Sequence, residues 1–322
     1  MASQTNLENG NVNLKIISFN VRGLRNPKKR RTLFHLFKKN KYDIICLQET
    51  YLLKSEKNII KKEWGHLFHI AEGSKNSKGL LTLFSNKFKD IDISIIKENE
   101  RCLISCLSID DIFFSIVNVY APCINTEKTQ FLGNISTYLD ELQQNHISNL
   151  IILGDFNIVL DNKLDIISGE RHLDNIVNSF KNFVNKLLII DIWRYLHGKK
   201  REFTWNKDKP FVARRLDYIF TSENLLPFCK DSNIIKFGFS DHKAVFLNID
   251  FSTFKRGPSF FKFNVSSLND ISLVNAISEE ITRIKNLDLD PHLKWEYIKA
   301  SIKDIGKHYG RAKAFEKRQD QK

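Results

Sequence analysis

Leu150-Ile151-Ile152-Leu153-Gly154-Asp155-Phe156-Asn157 passes abruptly from apolar residues to a carboxylate and an amide. The unbroken apolar run reads as a strand buried on both faces, the pattern of a central strand in a covered sheet. Gly154 ends the run, and period-two alternation predicts Asp155 and Asn157 on one face at the end of a rigid element. By itself Gly-Asp-Phe-Asn is equally an ordinary turn after a strand.

The same strand-then-polar pattern recurs on either side. Leu14 to Phe19 delivers Asn20, Tyr42 to Leu47 delivers Gln48-Glu49-Thr50, and Ile112 to Val119 delivers Tyr120. Further on come Phe203-Thr204-Trp205, Arg214-Arg215-Leu216-Asp217-Tyr218 and Ser240-Asp241-His242, which leads into Ala244 to Ile249. Apolar residues at helical spacing predict amphipathic helices over Pro27 to Asn40, Glu127 to Gln144 and His172 to Lys186. Gly79 to Ser85, Ile91 to Ile96, Leu103 to Ile109 and Ile112 to Tyr120 predict an antiparallel meander. Strands alternating with helices, with several antiparallel stretches, indicate an α/β sandwich with sheets inside and helices outside.

The chain has 322 residues, 42% of them hydrophobic, and a formal charge of +13. Such a surface attracts polyanions, nucleic acid first and an anionic membrane second. No apolar stretch is long enough to span a bilayer, and the polar leader, residues 1–13, is no signal peptide. The five cysteines, Cys46, Cys102, Cys106, Cys123 and Cys229, form no CxxC pair and read as buried reduced thiols. Lys28-Lys29-Arg30-Arg31 oppose the dipole at a helix start, which suggests either a phosphate-binding role or a solvated or nuclear-import run. Around Phe251 to Pro258 the strands stop, and Asp270 to Lys285 and Pro291 to Lys317 predict two further helices, a helical C-terminal extension.

If the strand ends converge, the site holds Asn20, Glu49, Tyr120, Asp155, Asn157, Thr204, Asp217, Ser240, Asp241 and His242. This hard, oxygen-rich set without a thiolate cluster suits Mg²⁺ or Mn²⁺ with a substrate phosphate. The chemistry is then metal-assisted phosphoryl transfer to water.

Asn20-Val21-Arg22-Gly23, Leu47-Gln48-Glu49-Thr50, Val119-Tyr120-Ala121-Pro122, Gly154-Asp155-Phe156-Asn157, Arg215-Leu216-Asp217-Tyr218-Ile219 and Ser240-Asp241-His242, in this order, resemble the exonuclease, endonuclease and phosphatase superfamily. More narrowly they resemble the apurinic-endonuclease-like domain of LINE-type non-LTR retrotransposons. The resemblance covers about residues 14 to 250 and implies a four-layered α/β sandwich, two mixed β-sheets packed together and flanked by helices. It implies Glu49 as the main metal ligand, with Asn20 and Asp241 as direct or water-mediated supports. It implies Asp155 on the attacking water, Asn157 helping to hold it, His242 on the scissile phosphate, Asp217 fixing His242, and Tyr120 touching the phosphate. Thr204 and Ser240 are implied for backbone contact and orientation. Arg22 stands where DNA-repair members commonly carry an acidic residue, which fits the retrotransposon type better than abasic-site repair.

The resulting expectation is an Mg-dependent endonuclease nicking double-stranded DNA to leave a 3′-hydroxyl for reverse transcription. Lys28, Arg30, Arg214 and Arg215, with Arg22, would bind phosphates. Element RNA is an expected partner of the full-length protein, and the nucleus its expected place of action after passage through the cytoplasm. Pro258-Ser259-Phe260-Phe261-Lys262-Phe263-Asn264 resembles the start of a connector to a reverse transcriptase, so the chain reads as a fragment. The rivals are a phosphatase or phosphodiesterase on inositol phosphates or sphingolipids, and a catalytically silent nucleic-acid-binding relic. Oligomeric state and target sequence are open.

Overall fold

A computed structural model describes residues 13–74, 78–109, 112–144, 149–169, 173–251 and 265–287, with scattered positions between 291 and 313. The chain divides into two units, residues 1–254 and 255–322. The polar leader and the connector-like Pro258 to Asn264 lie outside the described residues, as does much of the helix expected from Pro291.

The first unit runs β1 (Asn13–Asn20), α1 (Pro27–Lys39), β2 (Ile44–Gln48), α2 (Lys57–Trp64), β3 (Phe68–Ala71), β4 (Leu80–Phe84), β5 (Ile93–Asn99), β6 (Cys102–Ile109), β7 (Ile112–Tyr120), α3 (Asn125–Gln144) and β8 (Asn149–Asp155). It continues with β9 (Ile166–Ile167), α4 (Asp174–Lys186), β10 (Ile189–Asp191), α5 (Ile192–His197), β11 (Trp205–Asp208), β12 (Phe211–Arg214), β13 (Asp217–Ser222), β14 (Cys229–Ile235) and β15 (Ala244–Asp250). One six-stranded sheet has the order β14-β15-β1-β2-β4-β3, the other β10-β13-β8-β7-β6-β5, and β11-β12-β9 form a small third sheet. The two large sheets are mixed: β1–β2 and β7–β8 pair in parallel within otherwise antiparallel surroundings.

Why the central strands are apolar on both faces is visible in their packing. Ile16, Ile44, Cys46, Ile116, Ile151, Leu153, Ile219, Val245 and Leu247 meet in one core between the sheets. Ile17, Ile45 and Leu47 point the other way, into a core with Leu33, Phe34 and Phe37 of α1 and Ile60 and Trp64 of α2. Leu150, Ile152 and Phe220 likewise face Phe131 and Ile135 of α3 and Phe180 and Phe183 of α4. The result is a helix–sheet–sheet–helix sandwich.

Two expectations need correction. Gly79 to Ser85 does not join the meander: β4 pairs with β2 and β3 in the first sheet, and only β5, β6 and β7 form the antiparallel run. Phe203 and Thr204 precede their strand, which begins at Trp205. In the second unit, α6 spans Ile271–Lys285 and is capped by Asp270, whose side chain accepts from Ser272 N.

Candidate active site

Side-chain alternation decides where the site forms. Ile16, Ser18 and Asn20 share one face of β1, and Ile151, Leu153 and Asp155 share one face of β8, so the inter-sheet core ends in an amide and a carboxylate. In the second sheet Asp155 is registered with Tyr120 on one side and Asp217 on the other. Gly154 makes this approach possible. Its φ is +143°, and a Cβ there would stand 1.9 Å from the carbonyl oxygen of Val119.

Asn20 joins the two sheets. Its Nδ2 donates to Glu49 Oε1 at 3.0 Å and to Asp155 Oδ2 at 2.9 Å, and its Oδ1 accepts from Arg22 N. Tyr51 OH donates to the other Glu49 oxygen at 2.7 Å. Arg22, Glu49, Tyr51 and Asn157 all have φ between 46° and 58°. Such backbone is costly for non-glycine residues and concentrates at functional sites. The Arg22 turn is held by pairing of Val21, Gly23 and Leu24 N with the carbonyls of Gln48, Glu49 and Thr50.

On the opposite wall His242 Nδ1 lies 2.9 Å from Asp217 Oδ2, and its Nε2 lies 3.8 Å from Asp155 Oδ2. Thr204 Oγ1 accepts from Leu216 N and Asp217 N, and Ser240 Oγ accepts from His242 N. Burial and the neighbouring Asp217 push Asp155 up to about 7. Burial alone would depress His242, but Asp217 and then Asp155 outweigh it and raise the ring to about 10. Tyr120 is held well above its ordinary value by burial and by Glu49. These groups adjoin an open cleft of about 580 Å³, lined among others by Arg22, Glu49, Asn157, Arg214, Asp241 and His242.

The donors suit a hard divalent cation. Glu49 and Asp241 present carboxylates to the cleft. Asn20 turns its nitrogen, not its oxygen, to the carboxylates, so it acts as a bracket between them. Asp155, Asp217 and His242 also cluster closely enough to surround an ion. With His242 Nε2 3.8 Å from Asp155 and Nδ1 against Asp217, the trio is also arranged to handle a proton.

Several expected contacts fall elsewhere. Arg30 is buried, forks onto Glu63 of α2 and donates to Leu24 O, while Arg31 also binds Glu63 and Lys29 Nζ grips the carbonyls of Val21 and Arg22. The basic run thus mainly braces α1 against α2 and the Arg22 loop, and Lys28 alone of it extends to solvent without a side-chain partner among the described residues. Arg215 is also shut inside, paired with Asp165 and Asp191 and lying over the rings of Trp193 and Tyr218. Neither Arg30 nor Arg215 can reach a phosphate. Thr204 is fully buried and positions Asp217 instead of meeting a substrate backbone. Asn157 lies beyond β8 and is placed by its bond to Ala121 O, not by strand alternation. Cys123 is exposed, unlike the core thiols Cys46, Cys102 and Cys229.

Three further residues belong to the site. Tyr51 was signalled only by its place beside Glu49, and Trp205, whose Nε1 donates to Asp241 at 3.1 Å, only by its place beside Thr204. Lys128, on α3, donates to Asn157 O at 2.8 Å and lines the cleft, and no local pattern marks it.

The chain is 25% identical over 269 residues to the Transposon TX1 uncharacterized 149 kDa protein of Xenopus laevis, a match covering 83% of this chain and 20% of that protein. It is 28% identical over 244 residues to a DNA-(apurinic or apyrimidinic site) endonuclease of Dictyostelium discoideum, covering 68% of this chain and 65% of that one. The chain thus spans a fifth of the first relative and just under two thirds of the second. Among solved structures, the AP endonuclease LMAP from Leishmania major has the same fold, with TM-score 0.65 at 20% identity over 74% of this chain and 88% of that one. The family model for the endonuclease/exonuclease/phosphatase family matches residues 17–242. The chain belongs to the endonuclease/exonuclease/phosphatase family, with an AP-endonuclease-like fold.

Proposed function

We propose that the chain is a divalent-metal-dependent DNA endonuclease of the retrotransposon type, which nicks double-stranded DNA and leaves a 3′-hydroxyl. The observation that carries this reading is the hydrogen-bonded array Tyr51–Glu49–Asn20–Asp155, facing the His242–Asp217 pair across 3.8 Å beside a cleft with Arg22, Lys128 and Arg214 on its walls. Glu49 and Asp241 would hold Mg²⁺ or Mn²⁺, whose chemistry here is Lewis-acid stabilisation of charge on the leaving oxygen, typically several kcal/mol.

The chain's own residues do the rest. Asp155, raised to about 7, is suited to accept a proton from water as its oxygen bonds to phosphorus and the bond to the 3′ oxygen breaks. Charged His242, oriented by Asp217, offsets the negative charge on the phosphate, and Tyr120 donates its retained proton as a hydrogen bond to a phosphoryl oxygen. Asn157 borders the cleft where the water would stand.

Similarity to the Xenopus transposon protein supports the retrotransposon setting, and the formal charge of +13 supports a nucleic-acid substrate. In this setting the nick primes reverse transcription, element RNA is a partner of the longer protein, and the work is done in the nucleus. A supercoiled-plasmid assay with Mg²⁺ tests the assignment. Nicking is expected from the native chain and not from Asp155→Ala or His242→Ala; unchanged nicking by these variants would sink it.

A further inference from the structure

Among the described residues three lysine or arginine side chains are buried: Arg30, Lys128 and Arg215, at 3%, 2% and 1% exposure. Two of them lie against carboxylates, Arg30 on Glu63 and Arg215 on Asp165 and Asp191. Lys128 does not. Its ammonium donates to Asn125 Oδ1 at 2.9 Å and to Asn157 O at 2.8 Å, both neutral oxygens, and no carboxylate of the described residues stands within ion-pair distance of it. Lysine is rarely buried unless paired, because an ammonium loses its hydration there and nothing replaces it. Burial accordingly depresses the Lys128 pKa; Cys123 and Asp155 offset only part of this, and Arg214 adds to it.

Its place along the chain is no more favourable. Lys128 stands in the first turn of α3, where the helix dipole favours an anion over a cation. Glu127 is in the same turn, but adjacent residues of a helix do not face each other. A neutral donor would serve Asn125 and Asn157 as well, so the charge itself has no counterpart within the protein. Lys128 does border the cleft, as do Asn125, Cys123, Asn157 and Arg214. The start of α3 and the ammonium therefore adjoin the same opening, and each favours an anion there. Two of the three ammonium hydrogens are committed, which leaves one for that anion.

We propose that Lys128 is a substrate-binding residue, whose ammonium takes a phosphodiester oxygen of the nucleic acid as its counterion. The two neutral oxygens hold the ammonium at the wall before substrate arrives, so little rotamer freedom is lost on contact. The same side chain holds Asn157 by its carbonyl, while Asn157 N donates to Asp155 Oδ1 and Asn157 Nδ2 to Ala121 O. Phosphate binding and the placing of Asn157 are thus joined in one residue. The inference rests on the reading of the cleft as a nuclease site.

The test measures the affinity of the full chain for a short fluorescein-labelled DNA duplex by anisotropy, in EDTA and across a salt series. In Lys128→Met the affinity should fall about tenfold, and the slope of log affinity against log salt should fall by about one. Lys128→Gln, which keeps a donor for Asn157 O, should lose the same unit of slope. A native slope in either variant would make Lys128 a clamp on Asn157 alone and overturn the proposal, whatever the change in melting temperature. A second measurement needs no altered binding residue: in the native chain with ¹³C-labelled lysine, the Lys128 pKa should rise when the duplex is added, and an unmoved value would overturn the proposal. So would binding of an inositol phosphate that depends on Lys128 while duplex binding does not. A native chain that binds the duplex through Lys128 yet never nicks it with Mg²⁺ would remove the nuclease reading and leave this role standing.

Discussion

His242 and Asp217 form a closed pair: Nδ1 and Oδ2 stand 2.9 Å apart, and both side chains are shut away from solvent. Asp217→Asn keeps the shape and removes the charge that outweighs burial. The His242 ring should then titrate well below its present value of about 10. The variant should lose about a hundredfold or more in nicking at neutral pH, and its pH–rate profile should gain a limb that recovers towards acid. Because the folded pKa is raised, the stabilisation by this pair is complete below about 6.5 and declines as pH rises towards 10. The difference in melting temperature between native chain and variant should shrink over that window.

Asn20 supplies both of its amide hydrogens to carboxylates, one in each half of the site. Asn20→Leu removes a donor that lowers the Asp155 pKa, so this carboxyl should move further above about 7. Nicking should fall by about 10²-fold, in the range for losing one preorganised donor. The alkaline shift of the rate profile separates this from simple unfolding, which would lower the rate without moving its midpoint.

Gly154 tolerates no side chain. Gly154→Ala would add a Cβ at 1.9 Å from Val119 O at a φ of +143°, and the atom it meets is backbone in the adjoining strand. A loss of about 3 to 5 kcal/mol of stability is expected, the upper range for a point change. Chemical denaturation should show an early midpoint with the slope unchanged.

Arg215→Ala should destabilise without changing how the folded molecule holds DNA. It strips Asp191 of its guanidinium partner and leaves Asp165 with Arg194 alone, a loss of about 3 to 5 kcal/mol. The salt dependence of DNA affinity should stay as in the native chain, whereas Lys28→Ala, at an exposed position, should reduce the salt slope by about one unit. Equal slopes in both variants would count against Lys28 as a phosphate contact.

The sandwich was legible because its middle strands are apolar on both faces, and Ile16, Ile45 and Ile151 each find a core to enter. Family membership was legible for a related reason: the six motifs sit where those strands end in polar residues, and the family model spans them. What escaped depends on partners remote in sequence. α2 was missed because Lys57-Asn58-Ile59-Ile60-Lys61-Lys62-Glu63-Trp64 is too short and charged to show a stripe. Without α2, Arg30 had no visible counterion, since Glu63 lies 33 residues away. β14 was missed because Cys229–Ile235 carries Lys230, Asp231 and Asn233 on its exposed face. Nor could spacing say that β4 belongs with β2, since a strand's neighbours are settled by the closed sheet.

β1 lies between β2 and β15, so the first strand described finds one neighbour early and the other more than two hundred residues later. Asn20 ends β1, and His242 lies two residues before the start of β15, which pairs with β1. During synthesis the bracket across Glu49 and Asp155 can form while the histidine is still to come. A nascent chain emerging near nucleic acid therefore carries an incomplete site until the first unit is almost wholly made. The site closes only when the last strand of the first unit is in place.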